Sequence, residues 1–191
     1  GNESQDFSFE MTAGGVVSGL NYITDDFRAA MDSADTERAV VFMNPNNERE
    51  TGKWLTRSAD ARLCGNDWIV LRLADVYLMH SEAILGASLT TNNLSAIRSY
   101  NAVRTRVGLS TLAEDGSAEL TRDMLLHERR MELAFENHRL YDLVRFGVAQ
   151  EVLSAFATAT NESFQATDLL LPIPQGEINV SDGLLIQNPG Y

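Results

Sequence analysis

Hydrophobic residues recur at helical spacing in several stretches after residue 67, whereas residues 1–67 show no sustained period. The clearest stretch, 68–85 (WIVLRLADVYLMHSEAIL), is apolar over most of a helical wheel. Such a pattern is typical of a helix that is buried on nearly all sides. Three charged residues form its polar strip: Arg72, Asp75 and Glu82.

A second helix is predicted after a short turn. Asn92 or Asn93 can cap its first turn, and its pattern continues to about Arg106, just before Gly108. The two helices together predict a hairpin of about the size of one tetratricopeptide unit. No second copy recurs at a spacing of roughly 34 residues, so the sequence does not predict a repeat array.

The stretch 121–146 predicts a helix that is capped by Thr121 and carries carboxylates inside its apolar face. A tight break at Asn137 and His138 is predicted to end it, and Arg139 begins a second helix. Glu128, Glu132 and Glu136 fall within the same arc of the helical wheel as the apolar residues of the first helix. Carboxylates four residues apart repel each other, and each would be costly to remove from water without a partner. The sequence therefore predicts an ion-pair network that joins these acids to arginines on other helices.

The candidate cations lie on this helix and on its neighbours. Arg129 can reach Glu132 at i+3, and the long stem of Arg104 can pack while its guanidinium meets Glu128 or Glu132. Two functional alternatives remain for the acids, a carboxylate pair for glycoside hydrolysis and a carboxylate metal site. The predicted structural network consists of Arg104, Glu128, Arg129, Glu132, Glu136, Arg139 and Arg145.

The two ends of the chain differ from this helical region. Residues 1–67 are predicted to be a loop-rich segment of the same domain, with short strands at SFEM and AVVFM and a short helix at TDDFRAAMD, capped by Thr24. In the tail, Pro172 and Pro174 predict an extended arm that wraps over the helices of 68–191.

Composition removes some classes of function. The formal net charge of -12 argues against nucleic-acid binding, because the phosphate backbone would be repelled. The single cysteine, Cys64, cannot form an internal disulfide. No run of 18 apolar residues is present, and HERRM lacks the second histidine of a zinc helix, so we expect no membrane span, no metal and no cofactor.

Five ordered pieces of the sequence resemble one known family. They are WIVLRLADVYLMHSEA from residue 68, NAVRTRVGL from residue 101, ERRMELAFENHRLYDLVRFG from residue 128, LPIPQGEI from residue 171 and the closing QNPGY. On these pieces, residues 68–191 are similar to the C-terminal part of SusD/RagB-like proteins, which are outer-membrane lipoproteins of Gram-negative Bacteroidota.

The resemblance implies a mostly α-helical fold built on tetratricopeptide-like hairpins, with irregular loops. It implies non-catalytic binding of a nutrient, usually an oligosaccharide, on the extracellular face of the outer membrane. It also implies delivery to a SusC-like TonB-dependent barrel as the protein partner. The family's lipid anchor would lie outside this chain, since Cys64 has no lipobox around it.

A sugar-binding site needs an aromatic face and nearby polar groups. Trp54, with Asn46 and Arg57 in the same predicted loop, is the best local candidate. Two other functions stay open: an adaptor that binds peptides in a tetratricopeptide-like groove, and a glycoside hydrolase that uses two carboxylates from 128–136.

Overall fold

A computed structural model describes residues 23–44, 47–53 and 67–191. The regular structure of these residues is mostly α-helical, which confirms the predicted fold class. The helices are α1 (Asp25–Ala30), α2 (Thr36–Phe42), α3 (Leu73–Leu85), α4 (Leu94–Arg106), α5 (Arg122–Glu132), α6 (Arg139–Arg145), α7 (Ala149–Thr160) and α8 (Gln175–Val180). Short strands are β1 (Met43–Asn44), β2 (Asn47–Thr51), β3 (Thr90–Thr91) and β4 (Leu120–Thr121), and a 3-10 helix covers Ala166–Leu169.

Side-chain caps fix three helix starts that the sequence predicted. The Thr24 hydroxyl accepts from the Phe27 amide at 3.1 Å, and the Thr121 hydroxyl accepts from the Met124 amide at 3.1 Å. The Asn93 carbonyl oxygen accepts from the Ser95 amide at 2.9 Å. Each cap satisfies an amide that has no partner within its own helix, and the predicted starts of α1, α4 and α5 are confirmed.

The predicted strand AVVFM is wrong for its first four residues. Residues 39–42 belong to α2, which begins after Asp35 and ends at Phe42, whereas Met43 begins β1. The Asp35 carboxylate accepts from the Arg38 amide and also binds the Arg38 guanidinium, so the local pair favours a helical turn. The β-branched pair Val40 and Val41 lies on the exposed side, where packing does not select a strand.

Helix α3 turns its polar strip inward and exposes part of its apolar surface. Leu78 and Asp75 are buried, whereas Val76 and Met79 are about two-fifths exposed (40% and 41%). The prediction of a helix from residue 68 that is buried on nearly all sides is therefore wrong. Its physical reason is the ion pairing described below, which turns the charged strip of α3 towards α5.

Helices α3 and α4 form the predicted hairpin. The Ser81 hydroxyl donates to the Ala96 carbonyl at 2.8 Å, and His80 Nδ1 lies 2.8 Å from the Ser99 hydroxyl. Strand β3, in the loop between the two helices, pairs antiparallel with β4 at the start of α5. The start of α5 is thereby fixed against this hairpin.

Aromatic residues form a core beside α5. The rings of Phe27, Phe42 and Phe135 meet edge to face, with centroids 5.7 to 5.8 Å apart. Buried Ile23 and Met131 belong to the same cluster. This core joins the N-terminal helices α1 and α2 to the end of α5.

The chain divides into two compact units, Gly1–Asn137 and His138–Tyr191. In the second unit the Gln187 side chain donates to the Ile173 carbonyl and accepts from the Ile173 amide, at 2.9 and 2.8 Å. The tail is not wholly extended, because α8 begins directly after Pro174, a position that tolerates a missing amide. The predicted division into a loop-rich segment at 1–67 and a helical region at 68–191 stays a prediction.

Candidate functional site: a buried ion-pair network beside a pocket

Helix α5 and the turn after it bring three carboxylates into the interior. Glu128 and Glu132 lie one turn apart, and the helix ends at Glu132 rather than continuing as predicted. Phe135 and Asn137 both take a φ of 64°. The resulting turn brings Glu136 back beside Glu132, with which it shares Arg72. The three acids are 0 to 3% exposed, so each has lost its water and needs a charged partner.

Glu128 is bound by two arginines from other helices. Arg38 Nη2 lies 2.9 Å from Oε1, and Arg104 Nη1 lies 2.8 Å from Oε2. The sequence placed Arg104 at Glu128 or Glu132, and it is found at Glu128. The Arg104 guanidinium also lies 5.6 Å from the Tyr100 ring centroid. Burial, with the Glu128 charge, raises the pKa of Tyr100 to about 12.

Glu132 is bound by three arginines among the described residues. Arg72 Nη1 donates to Oε1 at 2.6 Å, and Arg106 Nη2 lies 2.9 and 2.8 Å from the two oxygens. Arg38 Nη1 completes the set at 3.4 Å from Oε2. Arg72 Nη2 also donates to the Glu132 main-chain carbonyl at 2.5 Å, so a cation caps the negative end of α5.

Glu136 shares Arg72 and adds a lysine. Arg72 Nε donates to the two Glu136 oxygens at 3.1 and 2.8 Å. Lys53 Nζ donates to Glu136 Oε1 and, at 2.7 Å, to the Ala134 carbonyl. Lys53 thus holds both the side chain and the backbone of the turn that follows α5.

The pKa shifts follow from this competition between burial and charge. Burial alone would raise the pKa of Glu132, but the hydrogen bond from Arg72 and the charges of Arg72, Arg106 and Arg38 hold it below its usual value. Burial opposes ionisation of Glu136 too, yet Arg72 and Lys53 lower its pKa. Both acids are therefore carboxylates at neutral pH, and burial lowers the pKa of Lys53.

These contacts make one connected network within residues 23–44, 47–53 and 67–137. It contains five cations and four carboxylates, so it carries one positive charge in excess. The most exposed cation of the network is Arg106, whose side chain is 58% exposed. The network members are Asp35, Arg38, Lys53, Arg72, Arg104, Arg106, Glu128, Glu132 and Glu136.

A pocket of about 520 Å³ lies against the network. This volume is in the range of small-molecule sites, roughly 300–1,000 Å³. Part of its lining is apolar, including Phe42, Ile69 and Leu73, and part is charged, including Arg72 and Arg106. We call it the Arg106 pocket.

The comparisons with known proteins agree on one family. The model of the SusD family matches residues 43–191, which is most of the chain. The chain belongs to the SusD family. Among curated SusD-family relatives, SusD-like protein P2 of Formosa agariphila is 29% identical over 140 residues, which cover 69% of this chain and 27% of that protein. The chain thus spans about a quarter of that relative's length.

Two solved structures of similar proteins have the same fold. A laminarin-binding SusD-like protein is 35% identical, with a TM-score of 0.58, over 74% of this chain and 29% of that one. Surface glycan-binding protein A from Bacteroides thetaiotaomicron, in complex with laminarihexaose, is 22% identical with a TM-score of 0.68. That alignment covers 87% of this chain and 41% of the other, and it shows the fold alone.

In this SusD-family chain three of the predicted arginines differ from Arg104 in their positions or partners. Arg129, expected within reach of Glu132, donates to Asp75 of α3 at 2.7 Å. Arg145 lies in the second unit, where it donates to Asp142 at 2.8 Å, and Arg139 begins α6 in the same unit. A role of Arg139 and Arg145 in the predicted network therefore stays a proposal.

Sequence reasoning missed several members of the network. Arg72 stood out on the polar strip of its helix, and Arg38 follows Asp35 at i+3, which is a usable signal for a local ion pair. Lys53 carries no comparable signal, because it follows a strand and reaches residues about 80 positions away, such as Ala134. Long-range pairing of this kind is decided by the fold and not by local pattern.

The predicted ligand-binding residues Trp54, Asn46 and Arg57 lie outside the residues that the structure describes. Their role stays a prediction. In the described ranges, none of the helices combines the length and apolarity needed to cross a bilayer. The same ranges contain no group of three or more His, Cys, Asp or Glu side chains arranged to hold a metal ion.

Proposed function

We propose that this chain takes part in non-catalytic capture of an oligosaccharide at the outer face of the outer membrane. In this proposal the captured sugar passes to a SusC-like TonB-dependent barrel. The observation that carries the proposal is its 35% identity, over 74% of the chain, to a laminarin-binding SusD-like protein of the same fold. Because the chain covers 29% of that protein, binding by this part alone is the point to test.

The state of the acids supports binding rather than hydrolysis. A glycosidase needs two carboxylates that face a cleft, one of which is protonated to act as the acid. Glu128 and Glu132 are instead buried and bound by arginines. The low pKa of Glu132 favours the ionised form, which cannot donate a proton to a leaving group. We therefore propose that these acids are scaffold.

Calorimetric titration of the 191-residue chain with laminarihexaose tests the binding step. We expect saturable binding, and no release of reducing sugar after prolonged incubation with laminarin. The same titration includes a panel of neutral and acidic oligosaccharides. A chain that is folded by circular dichroism and binds no member of the panel would contradict the proposal, and sugar release abolished by Glu132→Gln would favour the hydrolase.

The location of the sugar site is a further part of the proposal. We propose that Trp54 supplies the aromatic face and that Asn46 and Arg57 supply polar contacts. Trp54→Ala should then weaken sugar binding at least tenfold. Trp68→Ala is the matched control, because Trp68 is the second tryptophan of the chain and is half-exposed. Equal effects of the two substitutions would remove Trp54 from the site.

The protein partner is tested separately. The tagged chain should retain an outer-membrane barrel of the SusC type in a pull-down from detergent-solubilised outer membranes of the bacterium that encodes it. The exposed apolar side of α3, with Val76 and Met79, favours a second function, that of a peptide-binding adaptor. Retention of soluble peptides that is lost with Met79→Glu, without a barrel, would support the adaptor instead.

A further inference from the structure

The Arg106 pocket has two chemically different sides. Its apolar side includes Val41, Ile69 and Leu73, and its polar side includes Arg72 and Arg106. The C–H faces of a sugar ring pack on apolar side chains, while charged groups meet its substituents. The pocket therefore suits a ligand with an apolar face and one strongly polar or charged group.

The charge of the polar side selects the sign of that group. Four cations and three carboxylates line the pocket, which leaves one positive charge in excess: Arg38, Lys53, Arg72 and Arg106 against Glu37, Glu132 and Glu136. This excess stands out in a chain whose formal net charge is -12. Glu37, the exposed acid of this set, opposes an anion there. Glu37→Gln should therefore strengthen the binding of an anion in the pocket.

Arg106 is an exposed cation of the pocket that keeps donors to spare. Both of its hydrogen bonds to Glu132 use Nη2, at 2.9 and 2.8 Å. Within the described part of the chain, its Nε and Nη1 have no hydrogen-bond partner. The buried Glu132 holds the guanidinium in place, so an incoming anion meets a group that is already oriented.

Arg72 differs from Arg106 in this respect. Its Nε, Nη1 and Nη2 all donate to Glu132 or Glu136, and its side chain is 25% exposed. Lys53 is likewise engaged and is 12% exposed. An anion in the pocket would therefore be bound by Arg106, with the other cations acting through their charge.

We propose that the Arg106 pocket binds the carboxylate of an acidic sugar, a uronic acid within an oligosaccharide. This inference rests on the proposed glycan-binding function and names a charged class of ligand and a binding residue. The uronate carboxylate accepts a hydrogen bond from a spare donor of Arg106, and the ring packs on the apolar side of the pocket. A charge-assisted pair of this kind is stronger than a neutral hydrogen bond.

The test compares two ligands that differ only in charge. The 191-residue chain is titrated by calorimetry with trigalacturonate and with the same trisaccharide after reduction of its carboxyl groups to alcohols. We expect the acidic form to bind at least tenfold more tightly in low salt, and this difference to shrink as salt is added. Equal affinity for the two ligands would overturn the inference.

Substitutions then place the carboxylate in the pocket. Arg106→Gln should abolish the preference for the acidic sugar, and Arg106→Lys should keep part of it. Glu37→Gln should strengthen acidic-sugar binding several-fold, because it removes the opposing charge. Arg98→Gln, at an exposed arginine of the same helix that pairs with Glu114, is the matched control and should change nothing.

Each outcome decides between the proposals. Trigalacturonate binding that Arg106→Gln and Glu37→Gln leave unchanged would show that the acid binds elsewhere and would refute this inference. Binding of laminarihexaose without any preference for the acidic sugar refutes it too, while the proposed glycan-binding function stands. If Arg106→Gln does not fold, the sign of the Glu37→Gln effect still decides. Binding of no glycan at all refutes both.

Discussion

Two of the arginines on helix α4, Arg98 and Arg104, meet glutamates in opposite surroundings. Arg104 is 2.8 Å from Glu128, with side-chain exposures of 14% and 0%, whereas Arg98 is 3.1 Å from Glu114, with exposures of 63% and 43%. The two pairs have similar geometry and the same chemistry. Water solvates both Arg98 and Glu114 whether or not they are paired, but it does not reach Glu128. Burial, and not the distance between the ions, therefore decides what each pair contributes to stability.

The largest effect is expected at the acid that three arginines surround. Glu132→Gln keeps the shape of the side chain but leaves Arg38, Arg72 and Arg106 without their shared counter-charge. We expect a loss of about 3–5 kcal/mol of unfolding free energy, the usual cost of breaking a buried pair. Urea denaturation followed by circular dichroism measures it. A loss no larger than that of Glu114→Gln would erase the distinction between the two environments.

Arg104→Ala removes one of the two cations of Glu128 and leaves Arg38 in place. Several kcal/mol should be lost, again about 3. The same substitution at Arg98 is the control on the same helix. A thermal melt of Arg104→Ala that shifts by less than a degree would show that Arg38 alone satisfies Glu128.

The two sides of α3 extend the comparison to apolar residues. Leu78 is fully buried and Met79 is 41% exposed, although the two are neighbours in sequence. Leu78→Ala should cost about 2–5 kcal/mol, since it leaves a cavity in the core. Met79→Ala should cost much less, because the Met79 side chain is already in partial contact with water in the folded protein. Similar losses in chemical denaturation would mean that the exposed side of α3 is covered in solution.

Acid should destabilise the fold through the buried network. The pKa values of Glu132 and Glu136 are lowered in the folded protein, so the unfolded chain takes up protons first as the pH falls. Their contribution is complete above the ordinary glutamate pKa of about 4.3 and is lost below it, through the folded values. The urea concentration at the unfolding midpoint, measured from pH 7 to pH 3, should decrease as the pH falls below about 4.3. Glu136→Gln should reduce the slope.

The smallest effect is expected for the exposed pair. Arg98→Ala should shift the melting temperature by less than about 2 °C, because exposed ion pairs contribute little and are screened by salt. Differential scanning calorimetry at low and high salt is the measurement. A shift as large as that of Arg104→Ala would refute the idea that burial separates the two pairs.

The sequence by itself predicted much of the helical framework. Local signals were sufficient at Thr24, Asn93 and Thr121, because a capping side chain acts within three residues of its own position. The sequence also predicted that the acids of α5 need arginines, since hydrophobic periodicity places Glu128 and Glu132 inside. Only their burial had to be inferred, and the pairing with Arg104 followed from it.

Local pattern failed where distant residues decide. The first four residues of AVVFM are helical because Asp35 and Arg38 hold α2 against Glu128. The strip containing Arg72 and Asp75 turns inward because α5 supplies its partners. A helical wheel assigns apolar residues to the interior and cannot anticipate such an exchange.

What the sequence determined was therefore the helices, their caps and the need to neutralise buried charge. Only the tertiary structure decided which cation serves which acid, because residues such as Lys53 and Glu136 are brought together across 83 positions of the chain. It also decided that Arg106 keeps donors at the wall of a pocket. Charges interact through space, so their pairing depends on how the helices pack and not on their order in the chain.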